Sequence, residues 1–121
     1  MAFKLVRAAA AVAGLTLATG AMASECIAPA NPGGGWDFTC RQVGKSLQDL
    51  GLIDSTMQVT NLAGGGGGVA FAEVVNKRND DNELIVAASS ATSTRLAQGA
   101  YPGNTMDQVR WLASVGADYG V

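Results

Sequence analysis

"ECIAPANPGGGWDFTC", from Glu25 to Cys40, contains one complete structural succession. Glu25 to Ala30 is a short apolar run closed by Asn31 and Pro32, as a buried strand would be. Gly33, Gly34 and Gly35 follow, then Trp36 and Asp37, after which Phe38, Val43, Leu47 and Leu50 recur near helical spacing. Asp37 is the expected N-cap of this helix and Gly51 its terminator. The stretch therefore predicts a strand, a bare turn and a helix.

The same succession recurs twice. Met57 to Leu62 alternates Met57, Val59 and Asn61 with Gln58 and Thr60, which predicts a second strand running into five glycines, Gly64 to Gly68. A helix is expected from about Val69 to Lys77, its apolar face made by Val69, Ala70, Phe71, Val74 and Val75, with "NKRNDDN" as a polar exit. "ELIVAA", starting at Glu83, is continuously apolar, as a strand covered on both faces should be. "SSATSTRLAQG" then feeds a third helix that Gly99 ends. Helices between strands at this separation suit βαβ crossovers rather than hairpins, so the expected fold is an α/β lobe with a mostly parallel sheet flanked by helices.

In open parallel sheets the carboxyl ends of the strands share one edge, where ligands bind. Three loops feed that edge: "NPGGGWD", "AGGGGG" and "SSATST". Each precedes a helix and so offers free backbone N–H groups at the positive end of a helix dipole, which suits an anion. Glycine lets a ligand oxygen approach the backbone, and hydroxyls such as Ser89, Ser90 and Thr92 donate without adding charge. Two readings of Trp36 stay open, a lid stacked on a ligand and a piece of core. Asp37 is expected as cap, ligand contact, or both.

Several chemistries are poorly supplied. The chain has no histidine, which removes serine–histidine and cysteine–histidine nucleophile pairs and the commonest general base. Gly65, Gly67 and Ala70 fit G-x-G-x-x-A, the basis of an alternative reading as the dinucleotide- or phosphate-binding domain of an exported enzyme. In a five-glycine run the match is nearly automatic, and no acid ends the next strand to hold a ribose. A purely structural or interaction domain is a third reading.

At the start of the chain, Lys4 and Arg7 precede an apolar run from Ala8 to Ala18 and the cleavage pattern Ala21-Met22-Ala23. This is the layout of a secretory signal peptide over 1–23, too short to span a bilayer, and it predicts export with no membrane insertion after cleavage. Removing Lys4 and Arg7 from the eight Lys and Arg leaves six against ten Asp and Glu, a formal charge of −4. Those six are scattered between acids, so no nucleic-acid surface is expected. Two cysteines, Cys26 and Cys40, cannot build a zinc site alone; a disulfide in an oxidising compartment and a pair of small buried hydrophobes both remain open. "VRWLASVGADYGV" reaches Val121 without a turn or cap, which reads as the front part of a longer chain.

"CIAPANPGGGWDFTCRQVGKSL", "VTNLAGGGGGVAFAEVV" and "ELIVAASSATSTRLAQG" together resemble the periplasmic substrate-binding proteins of tripartite tricarboxylate transporters, the family of the TctC and Bug proteins. The resemblance runs from about Cys26 onward, and its most specific parts are the P-G-G-G-x-D loop and the turn from Asn61 to Gly68. It implies a Venus-flytrap protein whose first lobe is 24–121 and whose second lobe is missing from this chain. It implies a non-enzymatic periplasmic protein, without cofactor or metal, that captures a di- or tricarboxylate such as citrate for membrane permease subunits. The ligand-binding residues it implies are Pro32, Gly33, Gly34, Gly35, Trp36 and Asp37 in the first loop, Gly65, Gly66, Gly67 and Gly68 in the second, and Ser89, Ser90 and Thr92 in the third.

Overall fold

The computed structural model describes residues 24–117. The expected signal peptide lies outside the described residues. Strand β1 (Glu25–Ala28) is followed by helix α1 (Gly35–Asp49), strand β2 (Gln58–Asn61), a 3₁₀ turn at Gly65–Gly67, helix α2 (Gly68–Lys77), strand β3 (Leu84–Val86) and helix α3 (Ser90–Ala97). The three strands form one parallel sheet in the order β2-β1-β3. Cys26 stands opposite Val59 on one side and Ile85 on the other.

This order fixes the layout of the helices. The connection through α1 steps from β1 to β2, and the one through α2 returns past β1 to β3, so right-handed crossovers place α1 and α2 on opposite faces. The chain thus reverses direction between β1 and β3, which makes the carboxyl ends of those two strands a topological switch point.

Alternation along β1 turns Cys26 and Ala28 toward one face and Ile27 toward the other, and all three are buried. Cys26 and Ala28 share a core with Cys40, Met57 and Ala87, against which Trp36, Leu47, Ile53, Val59 and Ile85 pack. A second cluster joins Phe71 of α2, Leu96 of α3 and Tyr101. Cys26 and Cys40 are joined in a disulfide that ties β1 to α1 across a separation of 14 residues. A tight approach lies beside it, because a Cβ on Gly44 would stand 2.8 Å from the Cβ of Met57. Glycine inside a helix costs roughly 0.5–1 kcal/mol relative to alanine, and here it lets α1 settle on the residue that leads into β2.

The helix ends follow the sequence closely. After α1, Gly51 adopts φ +67 and donates to Gln48 C=O at 2.9 Å, while Leu52 N–H donates to Leu47 C=O at 2.9 Å. After α3, Gly99 at φ +66 donates to Leu96 C=O at 3.0 Å, and Ala100 N–H to Arg95 C=O at 2.9 Å. Both are Schellman closures, in which a left-handed glycine lets two orphan carbonyls find donors.

Two expectations need correction. The strands are shorter than the apolar runs, since β1 stops at Ala28 before the bend that leads to Pro32, and β3 stops at Val86. Asp37 is not the N-cap of α1. That position belongs to Gly34, extended at φ −73 and ψ 167, whose carbonyl accepts from Phe38 N–H at 2.9 Å. Asp37 stands third in the helix, where its carboxylate reaches back to Gly33 N–H at 2.9 Å and forward to Arg41 one turn on. A side chain that can satisfy both lets the helix begin three residues earlier, with Gly34 and not Asp37 as its cap.

Candidate functional site

Asp37 is buried beneath the first loop, with 3 % of its surface exposed, and four donors converge on its carboxylate. Arg41 gives two, Nε to Oδ2 and Nη2 to Oδ1, both at 3.0 Å; Gly33 N–H reaches Oδ2 and Asn61 Nδ2 reaches Oδ1, each at 2.9 Å. Asn61 also donates to Ala30 C=O at 3.1 Å, so the end of β2 holds both the start and the close of the first loop. The Arg41 guanidinium, helped by Gly33 N–H and by Asn61, keeps the Asp37 carboxyl well below the usual carboxylate range. The acid is therefore occupied and electrically paired. It shapes the loop and presents no free carboxylate to a ligand.

The five-glycine stretch is an ordered turn. Gly64, Gly65, Gly66 and Gly67 all have positive φ, from +57 to +135, before Gly68 returns to φ −64 and starts α2. Four successive left-handed residues are accessible to glycine alone without a penalty at each position, which accounts for the run without invoking a flexible linker. Tyr101, itself buried, donates its hydroxyl to Gly66 C=O at 2.6 Å and braces the turn from outside. A Cβ on Gly67 would meet the Tyr101 hydroxyl at 3.0 Å and Pro29 Cβ and Trp36 Cη2 at 3.6 Å. The first two loops thus touch, and Trp36 packs between the glycine turn and the disulfide core.

The third loop begins beside β1, where Ala87 N–H donates to Ile27 C=O at 3.0 Å. Ser89 is the N-cap of α3 and is exposed with Ser90. Thr92 is buried, and its Oγ1 accepts from Ser89 N–H at 3.3 Å, so the threonine closes the helix start and keeps back the hydroxyl expected to face a ligand.

What the edge offers outward is mainly backbone. Among the described residues no partner meets the N–H groups of Gly35, Trp36 and Asp37 at the start of α1, of Gly65 and Gly66 in the glycine turn, or of Ser90 and Ala91 at the start of α3. Around them lie the exposed Pro32, Gly33 and Gly35 and the half-buried Gly34. The acids of the opposite edge are kept apart and paired. Glu25 at the start of β1 and Asp81 before β3 both bind Arg78, at 2.7 and 2.5 Å, and that guanidinium lowers the pKa of each carboxyl.

Arg41, Arg95 and Tyr101 carry no site reading in the sequence, and Asn61 enters there only as a strand residue and the first residue of the glycine turn. Arg41 had a local signal, four residues after Asp37 on one helix face. Tyr101 lies 35 residues from the carbonyl that it holds, and nothing local announces that contact.

Two surface depressions lie on the described part of the molecule, of which only the second reaches the glycine turn. One of about 300 Å³ lies between α1 and β2, against Arg41, Gly44, Lys45 and Met57; the other, about 290 Å³, runs from Gly65 and Gly68 along Val69 and Ala72 to Tyr101 and Pro102. Neither is walled by all three loops. No cluster of three or more metal-ligating side chains occurs among the described residues, and no described helix is long and apolar enough to cross a membrane. The G-x-G-x-x-A match falls after β2, an edge strand, whereas a dinucleotide fingerprint follows the strand at the switch point. Comparison with family models, with curated proteins and with solved structures finds no match to this chain.

Proposed function

We propose that this chain is an exported solute-binding protein, with 24–121 as its first lobe, that holds a di- or tricarboxylate such as citrate and passes it to permease subunits of a tripartite tricarboxylate transporter. The observation that carries this reading is the set of unpartnered N–H groups from three loops on one sheet edge, where Asp37, the one buried acid among the described residues, is already neutralised by Arg41. Such an edge supplies neutral donors and helix dipoles to carboxylate oxygens. A second lobe would close over the ligand and exclude water.

Amide-resolved NMR of the cleaved chain, titrated with acetate, succinate and citrate at constant ionic strength, tests the reading. Shifts should concentrate on Gly35, Gly65, Gly66 and Ser90. Absence of a response to every carboxylate up to tens of millimolar, with binding of a nucleotide in its place, would overturn it. Cell fractionation checks the expected periplasmic location.

A further inference from the structure

Among the described residues, one cation at this edge stands without an ion-pair partner. Arg95, on the last turn of α3, is exposed and forms no ion pair among the described residues, unlike Arg41 and Arg78. Its guanidinium lies flush against the glycine turn, because a Cβ on Gly66 would stand 2.6 Å from Cζ, 2.7 Å from Nε and 3.0 Å from Nη1. Gly66 has φ +61, and its carbonyl is held by Tyr101, so the turn has little freedom to move away from the arginine.

We infer that Arg95 is the specificity-determining cation of the carboxylate site and selects ligands bearing two or more carboxylates over monocarboxylates. The inference rests on the function proposed above. Backbone N–H groups at the three loops can hold one carboxylate through partial charges, but they discriminate weakly by ligand charge. A full positive charge beside the turn adds Coulomb attraction that grows with each carboxylate, and a planar guanidinium can take a carboxylate through two parallel hydrogen bonds. The surrounding charge sharpens the effect. The 24–121 chain carries −4, so an anion is repelled elsewhere, while Asp37 with Arg41 contributes almost no net charge at the edge. Gly66 is glycine because of its φ of +61, and the absence of a Cβ there leaves room for the guanidinium against the turn.

The test is an NMR titration of the cleaved wild-type chain, Arg95→Gln and Arg95→Lys with acetate, succinate and citrate at matched ionic strength, following the Gly65 and Gly66 amides and, in wild type, the Arg95 Nε–H. Wild type should bind in the order citrate, succinate, acetate, and the Nε–H signal should move with the same midpoint. Arg95→Gln should weaken citrate roughly tenfold, the size of a lost charge-assisted pair, and acetate much less; Arg95→Lys should fall between. The amide spectrum of each variant reports whether the fold is intact, and the wild-type Nε–H signal reads the contact without any substitution. A wild type that binds carboxylates with a stationary Nε–H, or a folded variant that loses equally for all three ligands or for none, would overturn the role of Arg95 and leave the binding function standing. A wild type that binds none of them would overturn both.

Discussion

Replacing Gly65, Gly67 and Gly68 one at a time by alanine should destabilise the protein for three separable reasons. Gly65 has φ +57, and a Cβ there would meet nothing within 4 Å. Its alanine pays only the left-handed backbone, roughly 1–2 kcal/mol, less about 0.4–1 kcal/mol recovered because the unfolded chain also loses freedom. Gly68 is already helical at φ −64, so its cost is steric: a Cβ would stand 2.8 Å from Cδ1 and 3.1 Å from Cε1 of the buried Tyr101. Overpacking of this kind costs about 1–3 kcal/mol, against roughly 1 kcal/mol gained by alanine over glycine in a helix. Gly67 combines both terms, φ +101 with a contact of 3.0 Å to the Tyr101 hydroxyl, and should lose about 2–4 kcal/mol. Urea unfolding of each variant measures these losses. Tyr101→Phe separates them further: it removes the oxygen that the Gly67→Ala Cβ would meet, so the double variant should recover part of the loss, whereas Gly65→Ala should gain nothing from it. Equal losses at Gly65 and Gly67, with no recovery on removing the hydroxyl, would refute the packed-turn account.

Opening the disulfide with reductant, or replacing Cys26 and Cys40 by alanine, should cost about 3 kcal/mol, as for a loop of roughly this length; thermal unfolding with and without reductant reads it. The depressed carboxyls of Asp37, Glu25 and Asp81 contribute stability that is complete above their unfolded values near roughly pH 4 and is lost as pH falls toward the folded ones. Denaturation midpoints should therefore drop steeply below about pH 4, and Asp37→Asn should flatten that limb while lowering the plateau at neutral pH. Gly44→Val should destabilise by about 1–3 kcal/mol through its collision with Met57; chemical denaturation compares it with Gly51→Ala, whose Cβ would meet open space and which pays only for a positive φ.

Much of the fold was legible because it is written locally. The three strand–turn–helix successions, the parallel sheet and the stops at Gly51 and Gly99 follow from apolar periodicity and from glycine's access to the left-handed region. Strand ends were less legible, because an apolar residue beyond the last ladder bond looks the same in sequence as one inside it. Asp37 was misplaced for a physical reason: a carboxylate that can reach a backbone N–H behind it suits position three of a helix as well as the cap. The loops of the candidate site could be read, but their braces could not. Tyr101 and Arg95 act on Gly66 across the fold, and only the assembled structure brings a phenol and a guanidinium onto a glycine carbonyl and its Cα.

The claim on which the account depends is that the carboxyl edge of the sheet binds carboxylates through the backbone of three loops. Amide shifts of the cleaved, isotopically labelled chain during a citrate titration test it most directly. Saturable shifts are expected at Gly35, Gly65, Gly66 and Ser90, weakened by added salt, with Glu25, Arg78 and Asp81 at the opposite edge unmoved. Shifts centred on that opposite edge, or none at any of the four loop amides, would contradict it.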